Sequence, residues 1–94
     1  MSEAALTVQA CTGCGHVRWP PRPVCPRCGA TGFDARPARH GVVEESTRVG
    51  DVGLASVRLD AGPVVIARLV YDAPSGAPVE LRWVDGRAVA APRD

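Results

Sequence analysis

The plainest pattern in the chain lies near its C-terminus, where Val79, Leu81 and Trp83 alternate with Glu80 and Arg82. Successive side chains of a strand point to opposite faces, so this alternation predicts a half-buried strand over 79–84. The same period runs through 53–60, with Ala55, Val57 and Leu59 on one face, and through 64–71, with Val65, Ala67, Leu69 and Tyr71 on one face. Residues 41–49 and a short stretch, 87–91, complete five predicted strands. Turn residues separate them: Ala61-Gly62-Pro63, Pro74-Ser75-Gly76 and Asp85-Gly86, the last a strong two-residue hairpin signal. No segment sustains a helical period, so these strands predict a small five-stranded barrel of roughly 55 residues.

One strand departs from simple alternation. In 64–71 both faces are apolar, with Val64, Ile66 and Val70 opposing Val65, Ala67 and Leu69. One row fills the barrel. The other either faces outward, where an apolar stripe centred on Ile66 marks a partner site, or is covered by the N-terminal part of the chain. The connection over 72–77 holds Pro74 and Gly76 and is too short for the helix that commonly plugs such a barrel. The barrel end near Leu69, Tyr71 and Val79 is therefore expected to lack a lid, which favours a homodimer, a complex, or both; the alternative is that Tyr71 and the Pro74 loop fold over the opening.

Residues 10–37 read differently. They hold all four cysteines, five of the nine prolines and four of the ten glycines, a composition that excludes a long helix and predicts turns. From Arg39 onward Val, Ala, Leu and Arg take over. The expected organisation is a weakly patterned tail over 1–9, a cysteine-rich unit over 10–37 and a barrel over 38–94.

The chain has 94 residues, short enough that a structural metal is a common aid to stability. Its formal net charge is +1, which argues against a nucleic-acid binder relying on bulk charge. All 11 basic residues are arginine, a bias that points to a GC-rich bacterial genome. No run approaches the ~20 apolar residues of a membrane span, and the start lacks the pattern of a signal peptide. The expected compartment is the reducing cytoplasm, where paired cysteines read as metal ligands or redox groups.

The cysteines form two pairs, Cys11-Thr-Gly-Cys14 and Cys25-Pro-Arg-Cys28, separated by ten residues. Each Cys-x-x-Cys makes a tight knuckle that aims two thiolates at one ion, and two knuckles complete a tetrahedral site suited to zinc at ~2.3 Å Zn–S. Gly15 and Gly29 follow the knuckles, where positive φ lets backbone N–H groups approach the sulfurs. The gap is long enough to close a small hairpin. Iron in the rubredoxin manner uses the same knuckles and stays open. A disulfide pair would need a secreted chain, and a thioredoxin-like pair would need a single Cys-x-x-Cys in a βαβ setting. With four protein ligands the metal has no open position, so it is structural. His16 and His40 read as surface groups, and no nucleophile and base are paired in the pattern.

Residues 10–36, with Trp19-Pro20-Pro21-Arg22 between the knuckles and Cys25-Pro26-Arg27-Cys28-Gly29 at the second, resemble the rubredoxin-like zinc ribbon of the bacterial and archaeal zinc-ribbon plus OB-fold proteins, long catalogued as a domain of unknown function. Gly41-Val42-Val43, residues 53–70 and Gly76-Ala77-Pro78-Val79-Glu80-Leu81 are similar to that family's OB strands. Two features depart from it: the usual N-terminal helix is missing or reduced to residues 1–9, and the loop near 47–52 is short. The resemblance implies a non-catalytic accessory subunit that binds a thiolase-like enzyme and helps hold or shuttle acyl-CoA. The phosphates and adenine of CoA call for arginine and aromatic groups, so Trp19, Arg22 and Arg27 become candidate contacts; the opposing reading has Trp19 packed between ribbon and barrel and the arginines solvated. A different class, a single-stranded nucleic-acid-binding module, would need exposed stacking rings, and only Trp19, Phe33, Tyr71 and Trp83 are available. A rubredoxin-like electron carrier is the third class.

Overall fold

In the computed structural model, residues 3–93 are described, and every regular element among them is a strand. No helix is long and apolar enough to cross a membrane. The order is β1 (Glu3–Ala5), β2 (Thr7–Cys11), β3 (Val17–Arg18), β4 (Phe33–Pro37), β5 (His40–Val49), β6 (Val52–Leu59), β7 (Val64–Leu69), β8 (Pro78–Val84) and β9 (Arg87–Pro92).

Strands β6, β7 and β8 follow the predicted alternation, and β5 and β9 form where strands are expected. The inward row Val43, Ala55, Val57, Leu59, Val65, Ala67, Val79, Leu81, Ala88 and Ala90 forms the buried core. Pairing runs β8-β5-β6-β7-β9, and β9 pairs back on β8, so the sheet closes into a five-stranded barrel. The β7–β9 contact is parallel and the rest are antiparallel, which is the OB-fold arrangement. Val84 faces Arg87 across Asp85-Gly86, both with positive φ (49° and 81°), the two-residue hairpin that the sequence signals. Residues 47–52 contain an equally tight hairpin, with Val49 opposite Val52.

β5 carries a bulge between Val43 and Glu45, where extra curvature helps a short sheet close on itself. Gly41 lies just before it. A Cβ there would meet the Arg58 carbonyl oxygen and Val57 Cγ1 at 2.7 Å, so the close approach of β5 to β6 requires glycine.

Two expectations are corrected. Residues 3–9 are not a tail. β1 pairs with β8 beyond the point where β5 leaves it, Leu6 and Val8 lie in the main core, and β2 is the central strand of a second sheet, β3-β2-β4. The alternation of Leu6, Val8 and Ala10 with Thr7 and Gln9 carried this information but spans too few residues to stand out. Nor is the barrel end open. The segment 70–77 folds over it without a helix: Gly76 N–H donates to Val43 O (2.7 Å), Val43 N–H to Ala77 O (3.0 Å), and the Ser75 hydroxyl to Glu44 O (2.7 Å). Ala73 is thereby buried and Val79 fully enclosed, so the argument for association from an uncovered end falls.

The small sheet meets the barrel at two crossings. Leu6 joins β1 to β2, Ala38 joins β4 to β5, and Ala38 N–H donates to Leu6 O at 2.7 Å. Both residues are buried in the barrel core, so the two sheets share it.

Candidate metal centre

The first knuckle occupies the turn of the β2–β3 hairpin, in which Gln9 faces Arg18 and Ala10 faces Val17. The second lies in the long connection from β3 to β4. The ten residues between the knuckles do not close a hairpin of their own; their strand, β3, pairs back onto β2. The two knuckles have the same internal bonding. Cys11 N–H donates to His16 O (2.9 Å) and Gly15 N–H to Cys11 O (2.9 Å); Cys25 N–H donates to Ala30 O (2.8 Å) and Gly29 N–H to Cys25 O (2.9 Å). Gly15 and Gly29 both have φ of 78°, the left-handed conformation that reverses the chain after each pair. Their own N–H groups serve these turns. The amides that reach sulfur are near neighbours of these glycines in the chain, as with Gly13 N–H to Cys11 Sγ at 3.3 Å and the Ala30 amide at Cys28.

The four Sγ atoms lie within 4.8 Å of one another. Cys11 and Cys28 sulfurs are 3.6 Å apart, and Cys14 and Cys25 sulfurs 3.7 Å. A tetrahedron with ~2.3 Å Zn–S bonds has S···S edges of about 3.8 Å, so the spacing fits one zinc ion. Cys11 and Cys25 are buried, Cys14 and Cys28 exposed. Backbone N–H groups of Cys28 and Arg27 pull the Cys25 thiol down to about 6. The amides of Cys14 and Gly13 lower Cys11 against burial. At Cys28 the Ala30 amide also pulls down, but Cys11, burial, Cys14 and Cys25 outweigh it and push the thiol up to about 11. Four crowded thiols cannot all ionise by themselves; a dication supplies the missing charge. His16 and His40 stand outside the cluster.

Of the other candidate residues, Trp19 is half-buried and packs against the core; its ring meets Trp83 of β8 edge-on. With Val8, Gln9, Pro21 and Phe33 it lines a shallow groove of ≈ 260 Å³ on the ribbon sheet. Arg22 is exposed, and its backbone is clamped: Gln9 Nε2 donates to Arg22 O (2.7 Å), and Arg22 N–H donates to Gln9 Oε1 (2.9 Å). Sequence reading missed Gln9, which had been placed in the tail. Arg27 is exposed inside the second knuckle. Ile66 lies on β7 and is 65% exposed, with Val64 at 41% beside it on the same face. The ribbon does not cover this stripe.

Residues 3–34 match the family model for the ChsH2 rubredoxin-like zinc ribbon domain. The whole fold is similar to a solved structure described as an Ltp2-ChsH2(DUF35) aldolase, with 29% sequence identity and a TM-score of 0.78, over 94% of this chain and 84% of that one. Among curated proteins, none matches the sequence.

Proposed function

Because this chain is a member of the zinc-ribbon plus OB-fold (DUF35) family, we propose that it is a non-catalytic accessory subunit that binds a thiolase-like acyl-CoA enzyme and helps hold or shuttle the thioester. The observation that carries this reading is the bare apolar row on β7. Val65 and Ala67 are sealed in the core, whereas Val64 and Ile66 project from the opposite face. A chain this small gains stability from each apolar side chain it can bury, so an exposed isoleucine on a central barrel strand points to a partner surface. The likeness to a structure named for two components and for an aldolase supports an enzyme subunit as that partner.

The metal acts here as a brace. A closed four-thiolate site offers no position for water or substrate, and its role is to fix the loops that present Trp19, Arg22 and Arg27. Arg22 and Arg27 are assigned to contact with the partner, Arg22 being held at a fixed height above β2 by Gln9. The reading as a single-stranded nucleic-acid module has less support, because it needs exposed stacking rings and Trp19, Phe33, Tyr71 and Trp83 are all half-buried.

Sedimentation of the zinc-loaded chain with a purified thiolase-like enzyme from the same genome tests the proposal. The expected result is a stoichiometric complex that the Ile66→Asp variant fails to form. Self-association of the chain through the same stripe, with no mixed complex, would replace the enzyme by a second copy as the occupant and overturn the proposal.

A further inference from the structure

Among the described residues, four of the seven barrel arginines are paired, and Arg39, Arg68 and Arg87 are not. Arg48 pairs with Asp72 at 2.8 Å, Arg58 with Glu44 at 2.6 Å, Arg82 with Glu80 at 3.2 Å and Arg93 with Asp60 at 3.8 Å. Arg68 and Arg87 have no ion pair or hydrogen bond among the described residues. These two line one open groove of ≈ 620 Å³ between the end of β7 and the β8–β9 hairpin.

Strand register explains why they meet. Arg68 is the Cα partner of Val89 in the parallel β7–β9 pair, and Arg87 precedes Val89 by two residues, so Arg87 and Val89 project from the same face of β9. Both arginines are exposed. Val70, Val84 and Val89 supply an apolar part of the groove. Asp85 at the hairpin tip also lines the groove and has an interaction of its own. Two guanidinium groups that share a groove, neither paired with a carboxylate, repel each other, and an anion placed between them removes that repulsion. Guanidinium forks match phosphate oxygens two at a time, and the valines offer a surface for an uncharged, flexible chain.

The geometry points to Arg68 and Arg87 as the anion subsite of the protein: they grip the phosphates of a CoA-type thioester carrier, and Val70, Val84 and Val89 take its uncharged arm. This rests on the acyl-CoA reading above, and it places the phosphates on the barrel and not on the ribbon arginines. It also puts the carrier on the barrel face that continues from Ile66 and Arg68 along β7, so that a partner docked on the stripe would have the carrier at its edge.

The test is an NMR titration of the ¹⁵N-labelled, zinc-loaded chain with CoA, and separately with inorganic pyrophosphate. Both ligands are expected to shift the Nε–H signals of Arg68 and Arg87, and CoA additionally the amides of Val70, Val84 and Val89. The R68Q/R87Q double variant should bind CoA roughly ten- to a hundredfold more weakly, the loss expected for charge-assisted hydrogen bonds. The R36Q variant, which removes an exposed arginine outside the groove, should bind as the parent does. Shifts centred on Arg22 and Arg27, unchanged affinity in R68Q/R87Q, or no shift at millimolar CoA would each overturn the assignment. The map is made without any enzyme partner, so failure to find a thiolase complex leaves its result standing, and a complex can form even if the subsite is wrong.

Discussion

Trp19 of the ribbon and Trp83 of barrel strand β8 meet edge-to-face, with ring centroids 5.6 Å apart and planes inclined at 71°. The positive edge of one ring faces the negative face of the other, a geometry worth about 0.5–1.5 kcal/mol beyond area burial. With the Leu6 and Ala38 crossings, this contact fixes the ribbon to the barrel. In a double-mutant cycle, Trp19→Ala and Trp83→Ala are each expected to cost about 2 kcal/mol in denaturant unfolding, with a coupling of about 1 kcal/mol. Strict additivity would show that the rings touch without stabilising the junction.

The zinc centre is expected to hold one ion per chain by elemental analysis. Its removal should unfold more than the ribbon. Structural zinc contributes on the order of 10 kcal/mol or more, and β2 leads directly into Leu6 and β1, which belong to the barrel. Chelation is therefore expected to reduce barrel amide protection in hydrogen exchange as well, and intact protection in β5–β9 would show the two sheets to be independent. Metal uptake at neutral pH must displace the proton of Cys28, which its neighbours hold up to about 11. Protons should thus be released on zinc binding, and affinity should fall as pH falls, because protonation competes for the same sulfurs.

Gly41→Ala is expected to destabilise the barrel by about 1–3 kcal/mol, since the added methyl meets backbone oxygen and a core methyl at 2.7 Å. Thermal unfolding measures this, and an unchanged midpoint would mean that β5 and β6 can separate locally without loss.

Ile66→Asp should leave zinc content, circular dichroism and unfolding midpoint nearly unchanged, because the side chain is 65% exposed. A large fall in stability would show that Ile66 is packed in the folded protein. That outcome would remove the stripe as an interface.

The legibility of these features followed the length of each signal. The barrel strands are readable because three stretches alternate over six or more residues and turn residues separate all five; Val57 and Leu59, on one face of the second, are fully buried. The cysteines were readable because the spacing within each pair is itself the ligand geometry. β1 to β4 were not, since two to five residues cannot establish a period, and β3 consists of Val17 and Arg18 alone. The lid over 70–77 is only the alternative to an open end in the sequence, because it depends on hydrogen bonds to the β5 bulge, a tertiary feature. The pairing of Trp19 with Trp83 joins residues 64 positions apart (83 − 19), beyond the reach of local pattern.

The central claim is that this chain assists an acyl-CoA enzyme without performing the chemistry. It is tested most directly by following acyl-CoA turnover by a thiolase-like enzyme of the same genome while the zinc-loaded chain is added. The account predicts no turnover by the chain alone, and enzyme activity that rises and saturates at one chain per enzyme subunit. Turnover by the chain alone, or enzyme kinetics that ignore its addition, would contradict it.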